Sequence, residues 1–252
     1  MRVAVLGLGE AGSRLAADLV DAGDDVCGYD PAPMAAIPGV DDYESAEKAI
    51  TGCTLALAVT HASQARTLLE SVAASLHGGL IYADLSTGSP GLKKELADRA
   101  GRRGARFVDV ALMAPVPGQG LATPALASGD GATQYAALIN ARGGRVEVIG
   151  EEPGAAATRK LLRSVVMKGL AGLLIESTEA AARYNQDQWF WNHLVEQLGA
   201  IDQDLLERLL YATPVHAGRR LEEMEAARDL LIEAGVPATM TEATIALLRR
   251  FA

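Results

Sequence analysis

A glycine-rich loop near the start of the chain constrains the fold more than any other feature. The segment VAVLGLGEAGSRLAADL places an apolar, strand-like run before the loop and a helical pattern after it, the context that gives G-x-G-x-x-G spacing its meaning. The first glycine of such a loop permits a tight turn, the second lets the backbone approach a pyrophosphate, and the third allows close helix–strand packing. The helix start then offers N–H groups and a positive dipole end to phosphate oxygens. The loop predicts a dinucleotide site, the alternative being a turn that binds no nucleotide, and its residues are Gly7, Leu8, Gly9, Glu10, Ala11 and Gly12.

An acidic residue stands at the end of the second strand-like run, about 20 residues beyond the loop. This residue, Asp30, follows DVCGY, and its carboxylate can accept hydrogen bonds from both ribose hydroxyls of NAD while repelling the extra phosphate of NADP. Residues 31–34 contain neither arginine nor lysine, so we expect NAD to be preferred, with NADP possible. The alternative is that Asp30 only forms a turn before a proline. Thr60 and His61 end a later run at the same sheet edge, where they either contact the ribose or phosphate of the cofactor or cap a helix.

Short apolar runs alternate with helical patterns through the first part of the chain. This alternation indicates right-handed βαβ units and a mostly parallel sheet, and the continuous apolar character of the early runs suits strands buried on both faces. We therefore predict an α/β fold with a Rossmann-type, doubly wound sheet. The predicted strands are Arg2–Leu6, Asp25–Tyr29, Thr54–Val59, Leu80–Leu85, Arg106–Ala111, Pro124–Ser128 and Arg145–Val148, and the predicted helices are Ala11–Ala22, Ala62–Leu76, Pro90–Arg103 and Thr133–Ala141.

The character of the sequence changes after the segment EEPG, residues 151–154. Strand-like runs end there, and helical periodicity continues from Ala155 to about Tyr184 before shorter helical patterns follow. We predict a dinucleotide-binding domain over residues 1–153 and an all-helical second domain over residues 154–252.

The charge balance and the composition exclude several classes of function. The net charge is −9 and the isoelectric point is about 5.0, whereas nucleic-acid binding proteins present basic patches, so no nucleic-acid partner is expected. No uncharged apolar run reaches about 18 residues, and the N-terminus has no separate cleavage region, so we expect a cytoplasmic protein without a membrane span. Cys27 and Cys53 have no partner at metal-ligand spacing, and the scattered histidines form no metal motif. Reduced, buried cysteines and no bound metal are therefore expected.

A second candidate site lies on the helical segment TRKLLRSVVMKGL, residues 158–170. At about 100° per residue its apolar side chains fall on one side, while Lys160, Ser164 and Lys168 stack along the other at i, i+4 and i+8. Such a face is either solvated or turned into a cleft where it handles protons. A lysine can serve as both acid and base when burial or a neighbouring cation lowers its pKa towards neutrality.

Two hydroxyl residues and a glycine follow the fourth predicted strand at its C-terminal end, where open α/β sheets bind ligands. These residues, Ser86, Thr87 and Gly88, suit a substrate carboxylate because hydroxyls and a close backbone N–H can both donate to it. The alternative is a helix cap before Pro90.

Together these motifs resemble the β-hydroxyacid dehydrogenase family, which includes 3-hydroxyisobutyrate and 6-phosphogluconate dehydrogenases, and also a less characterised phosphogluconate-dehydrogenase-like branch. GLGEAGSRLA is close to the family's GLGxMGxxxA, ADLSTGSP resembles its substrate-binding D-x-S-T-x-x-P, and GAAATRKLLRS resembles the helix start that carries its catalytic lysine. The resemblance implies that Lys160 is the general acid and base and that Ser164, which stands where the family has asparagine, bonds the same substrate oxygen. Lys168, two turns on, is expected to bind a carboxylate or to lower the pKa of Lys160. In this family such long helices pack between subunits, so a homodimer is implied.

The implied activity is that of an NAD(P)-dependent oxidoreductase that transfers a hydride between nicotinamide and a small 2- or 3-hydroxy acid or its oxo form. Two alternatives stay open. One is an imine reductase of the same architecture, which usually replaces the lysine, and the other is a non-catalytic dinucleotide-binding sensor, which needs neither the lysine helix nor the STG loop. The cluster QWFWNH places Trp189 and His193 on one helix face, for core packing, for a subunit contact or for closing an apolar pocket.

Overall fold

The structure, a computed structural model, describes residues 1–32 and 34–252. Pro33, which belongs to the segment after Asp30 that carries no arginine or lysine, lies outside the described residues. The chain divides into two compact units, Met1–Arg163 and Ser164–Ala252.

A mixed, mostly parallel sheet forms the centre of the first unit. Its strands are β1 (Arg2–Leu6), β2 (Asp25–Tyr29), β3 (Val40–Asp42), β4 (Leu55–Ala58), β5 (Ile81–Asp84), β6 (Arg106–Leu112), β7 (Pro124–Ser128) and β8 (Arg145–Val148). Their order is β3-β2-β1-β4-β5-β6-β7-β8, and the pair β6–β7 is antiparallel while the other neighbouring pairs are parallel. The first six strands in this order have the arrangement of a dinucleotide-binding sheet, whose crevice opens where the order reverses, between β1 and β4.

Helices pack on both faces of this sheet. They are α1 (Glu10–Asp21), α2 (Ala46–Ile50), α3 (Ala65–Ser71), α4 (Pro90–Gly101) and α5 (Ala132–Asn140), and α6 (Ala155–Arg183) follows β8. Because successive strand residues point to opposite faces, Val3 and Val5 of β1 join one apolar core with α1 and α5. Ala4 and Leu6 join a second core with α2, α3 and α4.

The structure confirms the Rossmann-type, mostly parallel α/β sheet that the alternating pattern predicts. Strands β1, β2, β7 and β8 have the predicted bounds. Strand β3 and helix α2 are missing from the sequence-based prediction because they span three and five residues, too few for a periodic pattern to develop. The predicted helix Ala62–Leu76 is shorter in the structure, since α3 ends at Ser71 and a 3-10 turn follows over Ala73–Ser75.

The second unit is all-helical over the residues that the structure describes, as predicted for this part of the chain. It contains the rest of α6 and the helices α7 (Asp187–Gly199), α8 (Gln203–Val215), α9 (Ala217–Glu233) and α10 (Thr239–Leu248). Its apolar core is small and is built on Ala180, Leu231 and Val236. None of the described helices is long and apolar enough to cross a membrane.

Candidate functional site

The glycine loop between β1 and α1 meets two different physical requirements. Gly7 has a φ of +104°, and a Cβ atom there would lie 2.2 Å from the carbonyl oxygen of Val59, while a Cβ at Gly12 would lie 1.8 Å from the carbonyl oxygen of Gly7. These two glycines are needed by the protein's own packing. At Gly9 no described atom lies within 4 Å of a Cβ position, so the missing side chain leaves open space over the helix start.

Helix α1 begins directly after Gly9, and none of the described side chains caps it. The first N–H groups of a helix have no partner inside the helix, and here they lie next to the space that Gly9 leaves open. Open space, donor N–H groups and the positive end of a helix dipole are what a pyrophosphate group requires. The residues present therefore fit the phosphates of a dinucleotide.

The carboxylate of Asp30, just after β2, is tied to the same loop. Its Oδ2 atom accepts a hydrogen bond of 2.7 Å from the N–H of Leu8, and its Oδ1 atom accepts one of 2.9 Å from the N–H of Ala32. Leu8 itself is buried in the apolar core, so its backbone, and not its side chain, contributes to the site. These two bonds fix the orientation of the carboxylate, which stays half-buried at the edge of the cleft.

A cleft of about 870 Å³ opens at the C-terminal edge of the sheet, within the unit Met1–Arg163. Its volume is in the range of cofactor and ligand sites, and it lies beside the point where the strand order reverses. The cleft brings together residues that sequence reasoning selected from separate motifs. They are Gly7, Gly9, Glu10, Ala11, Gly12, Asp30, Thr60, His61, Thr87 and Lys160.

Other residues selected from the sequence do not line this cleft. Ser86 is buried, and its hydroxyl donates a 3.1 Å hydrogen bond to Oδ2 of Asp84. Gly88 is also buried, and a Cβ there would lie 2.8 Å from a methyl group of Leu92. Ser164 and Lys168 belong to the second unit, in which Ser164 is half-buried and Lys168 is exposed.

Lys160 is half-buried near the start of helix α6, and backbone contacts fix that start. The N–H of Ala157 donates to Oδ2 of Asp109 at 2.9 Å, and the N–H of Ala156 donates to the hydroxyl of Ser128 at 3.1 Å. Two of the N–H groups that a helix start leaves unpaired are therefore bound by β6 and β7. The first turn of α6, and with it the backbone of Lys160, is held against the sheet.

A buried cluster of charges beneath the cleft is the main feature that sequence reasoning missed. The side chain of Lys93, on α4, is 0% exposed, and its Nζ atom lies 3.2 Å from Oδ2 of Asp84 and 3.2 Å from Oδ1 of Asp109. The sequence contains a signal for this burial, because Lys93 shares a helix face with Leu96 and Ala100 at i, i+3 and i+7. A lysine on such a face is almost never fully buried unless it is paired.

The cysteines are free and buried, as expected. Burial and the neighbouring Cys27 raise the pKa of Cys53 to about 12, so this thiol is protonated at neutral pH and inert as a nucleophile. In the described parts of the chain no group of three His, Cys, Asp or Glu side chains could hold a metal ion.

The second unit contains a separate, mostly apolar cavity of about 640 Å³. Trp189 and Phe190 line it, together with Tyr184 and Leu231. The rings of Trp189 and His193 stack with centroids 5.4 Å apart and an interplanar angle of 5°. The structure thereby confirms the predicted shared face of these two residues and places Trp189 at an apolar cavity.

Comparison with protein families gives two matches along the chain. Residues 2–132 match the NAD binding domain of 6-phosphogluconate dehydrogenase, and residues 181–251 match a domain of unknown function, DUF1932. A curated relative, described as an uncharacterized 28.5 kDa protein in the 7S RNA 5′ region of Methanothermus fervidus, is 28% identical over 144 residues. That match covers 57% of this chain and spans only 55% of the relative's length.

Solved structures share the fold over nearly the whole chain. A conserved hypothetical protein from Sinorhizobium meliloti 1021 is 27% identical, with a TM-score of 0.64 over 99% of this chain and 87% of that one. A conserved protein of unknown function, noted for its structural similarity with 3-hydroxyacid dehydrogenases, is 27% identical, with a TM-score of 0.65 over 100% of this chain and 96% of that one. An imine reductase from Streptomyces aurantiacus is 19% identical, with a TM-score of 0.84 over 99% of this chain and 94% of that one, a likeness of fold alone.

Proposed function

This chain belongs to the family defined by the NAD-binding domain of 6-phosphogluconate dehydrogenase, and from that premise we propose that it is an NAD(P)-dependent oxidoreductase. Its reaction interconverts a small 2- or 3-hydroxy acid and the corresponding oxo acid. One observation carries this proposal: Lys160 lines the same cleft as the glycine loop. A proton-transferring group and a dinucleotide site in one cleft are the two parts that such a reaction needs.

In this proposal the cofactor lies along the C-terminal edge of the sheet. The N–H groups at the start of α1 bind its pyrophosphate, and Asp30 accepts hydrogen bonds from the adenosine ribose. Thr60 and His61, at the end of β4, contact ribose or phosphate. When bound, the nicotinamide supplies or accepts the hydride.

The surroundings of Asp30 support a preference for NAD over NADP. A cavity of about 410 Å³ is lined by Asp30, Asp42 and Glu44. A hydrogen bond from Lys48 lowers the pKa of Glu44 below its ordinary value, so this carboxylate is charged at neutral pH. Because Lys48 balances the charge of Glu44, the negative potential comes from Asp30 and Asp42. It would repel the extra phosphate of NADP, and we expect NADH to bind more tightly than NADPH in a fluorescence titration.

Lys160 is the proposed general acid and base. In the reducing direction its Nζ atom donates a proton to the substrate oxygen as the carbonyl carbon is reduced, and in the oxidising direction it removes that proton. Thr87, exposed at the cleft, binds the substrate carboxylate, while Ser86 and Gly88 belong to the same binding loop. The roles expected for Ser164, as a second partner of the substrate oxygen, and for Lys168, as a carboxylate ligand or a cation that lowers the pKa of Lys160, stay predictions, since neither residue lines the cleft.

The second unit supports a homodimer as the working form. Helices α7 and α8 have no buried residue in the part of the chain that the structure describes. Large apolar side chains on them are exposed, among them Trp189, Trp191, Leu210, Tyr211 and Val215. Monomeric proteins rarely expose so much apolar surface. A second copy of this chain is the occupant that we propose, since one apolar surface can cover its twin in a two-fold interface.

The test is an absorbance assay of nicotinamide oxidation and reduction over small hydroxy acids, oxo acids and cyclic imines, with NAD(H) and NADP(H) in parallel. We expect turnover of a hydroxy acid that falls about 10²- to 10⁴-fold in Lys160→Met, with NADH affinity preserved. Lys94→Met is the matched control, because Lys94 is an exposed lysine paired with Glu152. Turnover of imines alone would favour the imine reductase, and NADH binding without turnover on any class would favour the sensor.

A further inference from the structure

The buried cluster of Lys93, Asp84 and Asp109 connects the two sides of the proposed catalytic edge. Lys93 reaches from α4 to the end of β5, where its ammonium also donates a 2.9 Å hydrogen bond to the carbonyl oxygen of Asp84. The same ammonium lies within ion-pair distance of Asp109 on β6. One side chain therefore cross-links two neighbouring strands and a helix.

On the β5 side the cluster holds the loop that carries Thr87. Oδ1 of Asp84 accepts a 3.0 Å hydrogen bond from the N–H of Ser86, and Oδ2 accepts a 3.1 Å bond from its hydroxyl. Thr87, the next residue, lines the cleft. The position of Thr87 thus depends on the carboxylate that Lys93 holds.

On the β6 side the cluster holds the start of α6. Oδ2 of Asp109 accepts hydrogen bonds from the N–H of Ala157 at 2.9 Å and from the hydroxyl of Ser128 at 3.4 Å. Ser128 in turn binds the N–H of Ala156. Lys160 follows these two alanines by one turn of helix, so its backbone is fixed through Asp109.

The charges of the cluster make this arrangement specific. By formal charge, two carboxylates and one ammonium leave one net negative charge in the interior, and the positive end of the α6 dipole faces Asp109. Buried charges need partners, and an apolar replacement is often equally stable. Here Oδ1 of Asp109 has the ammonium of Lys93 at ion-pair distance and accepts no hydrogen bond from the described residues. The cluster therefore fixes positions in a way that apolar packing of the same strands would not.

We propose that Lys93 is a positioning residue for the reaction: by bridging Asp84 and Asp109 it sets the position of Lys160 relative to Thr87. This inference rests on the proposed function, in which those two residues act on one substrate. It assigns a role to a side chain that has no access to the cleft.

The test needs a variant that removes the bridge without adding buried charge. Lys93→Met alone would leave two buried carboxylates without a counter-charge, which endangers folding. The double substitution Lys93→Met with Asp84→Asn keeps one net negative charge, as in the parent protein. Lys94→Met is the matched control on the same helix, since its ion pair with Glu152 is exposed.

We expect the double variant to bind NADH within about twofold of the parent but to lose about 10²-fold in kcat, the cost of a misplacement of about 1 Å. The acylation rate of the Lys160 amine, measured by mass spectrometry with exposed Lys48 as internal reference, should change several-fold. Ser128→Ala removes a hydrogen bond to the start of α6 and leaves every charge in place. It should lower kcat and change the Lys160 acylation rate in the same direction as the double variant does. A preserved kcat, an unchanged Lys160 acylation rate, or a joint loss of NADH binding and of folding overturns the proposal.

The two proposals fail in different ways. If the parent protein turns over no substrate, the proposed function is wrong; if Lys160→Met keeps full turnover, the acid and base role of Lys160 is wrong, and Lys93 then has no catalytic lysine to position. If Lys160→Met is inactive while the double variant keeps both kcat and the Lys160 acylation rate, only the positioning role is wrong.

Discussion

At the scale of single residues, Gly12 of the glycine loop is required by the fold, whereas Gly9 is required by the proposed ligand. We expect Gly9→Ala to lower the melting temperature only slightly, because its Cβ meets no described atom and only the poorer N-cap of α1 costs stability. It should weaken NADH binding about tenfold by occupying the phosphate space. Gly12→Ala should lower the melting temperature much more, since its Cβ would lie 1.8 Å from a backbone oxygen. Thermal unfolding and fluorescence titration of both variants check this, and equal losses of stability in the two would contradict it.

Asp24 gives the chain a pH-dependent contribution to stability. Burial alone would raise the pKa of its carboxyl, but hydrogen bonds from Arg142 and the N-terminal ammonium lower it below the ordinary value. A group whose pKa is lower in the folded state stabilises the protein above its unfolded pKa of about 3.9 and loses that effect as the pH falls through the folded value.

Asp24→Asn should therefore reduce the free energy of unfolding by about 2 kcal/mol at pH 7, and by less at pH 3. Urea unfolding at the two pH values measures the difference. Asp25→Asn is the control, because the ion pair of Asp25 with Arg2 is exposed and such pairs contribute about 0–1 kcal/mol. A deficit in Asp24→Asn that stays constant between pH 7 and pH 3 would rule out this origin.

Sequence reasoning reaches some residues of the candidate site and not others. Gly7, Gly9 and Asp30 can be found because their local motif alone determines where they lie. The Lys93 cluster cannot be found in the same way, since its three members are brought together by α4, β5 and β6. Ser86 shows the same limit: a hydroxyl at the end of a strand reads as a ligand group, yet its nearest acceptor is a buried carboxylate two residues earlier.

At the scale of elements, helix α10 is capped by a side chain from another helix. None of the described side chains caps it locally, since its N-cap is Ala238. Glu176, on α6, accepts hydrogen bonds from the N–H groups of Met240 and Thr241 and from the Thr241 hydroxyl. Burial would raise the pKa of Glu176, but these hydrogen bonds lower it, so the capping carboxylate is charged at neutral pH.

Glu176→Ala should reduce stability by about 2 kcal/mol, the upper range for loss of a helix cap. Amide hydrogen exchange should locate the loss at the first turn of α10. Glu179→Ala, an exposed position one turn further along α6, is the matched control and should have little effect. If exchange in α10 were the same in Glu176→Ala as in the parent, the capping role would be excluded.

Some helices and strands of this chain are predicted accurately from the sequence and others are missed, and the difference has physical reasons. Strand β1 is identified to the residue because burial on both faces imposes the continuous apolar run VAVL. The short elements β3 and α2 are shaped by their neighbours in the sheet and have no periodicity of their own. The sequence predicts helix α6 at nearly its full length. It does not predict that Val165 and Val166 are exposed, because helical periodicity shows which residues share a face and not whether that face is covered.

At the scale of the whole molecule, apolar surface is distributed unequally between the two units. The first unit buries its apolar residues in two cores, one on each face of the sheet. The second unit has a small core and exposes many large apolar side chains. Leaving this much apolar surface in water is unfavourable, because each Å² of it that a partner covers stabilises the complex by about 25 cal/mol. The cleft that the glycine loop lines lies in the first unit, so cofactor binding and subunit association can be tested separately.

Replacing apolar side chains on α8 should therefore dissociate the protein without disturbing the cleft. We expect the parent protein to sediment as a dimer of its 26.3 kDa chain. The double variant Leu210→Glu/Val215→Glu should sediment as a monomer. Both positions are highly exposed, and the new glutamates would bring like charges together across a two-fold interface. NADH affinity should be unchanged in the monomer. Val148→Glu, an exposed apolar position on β8 of the first unit, should remain dimeric. A parent protein that is monomeric at micromolar concentration, or a double variant that stays dimeric, would show that α8 does not form the subunit interface.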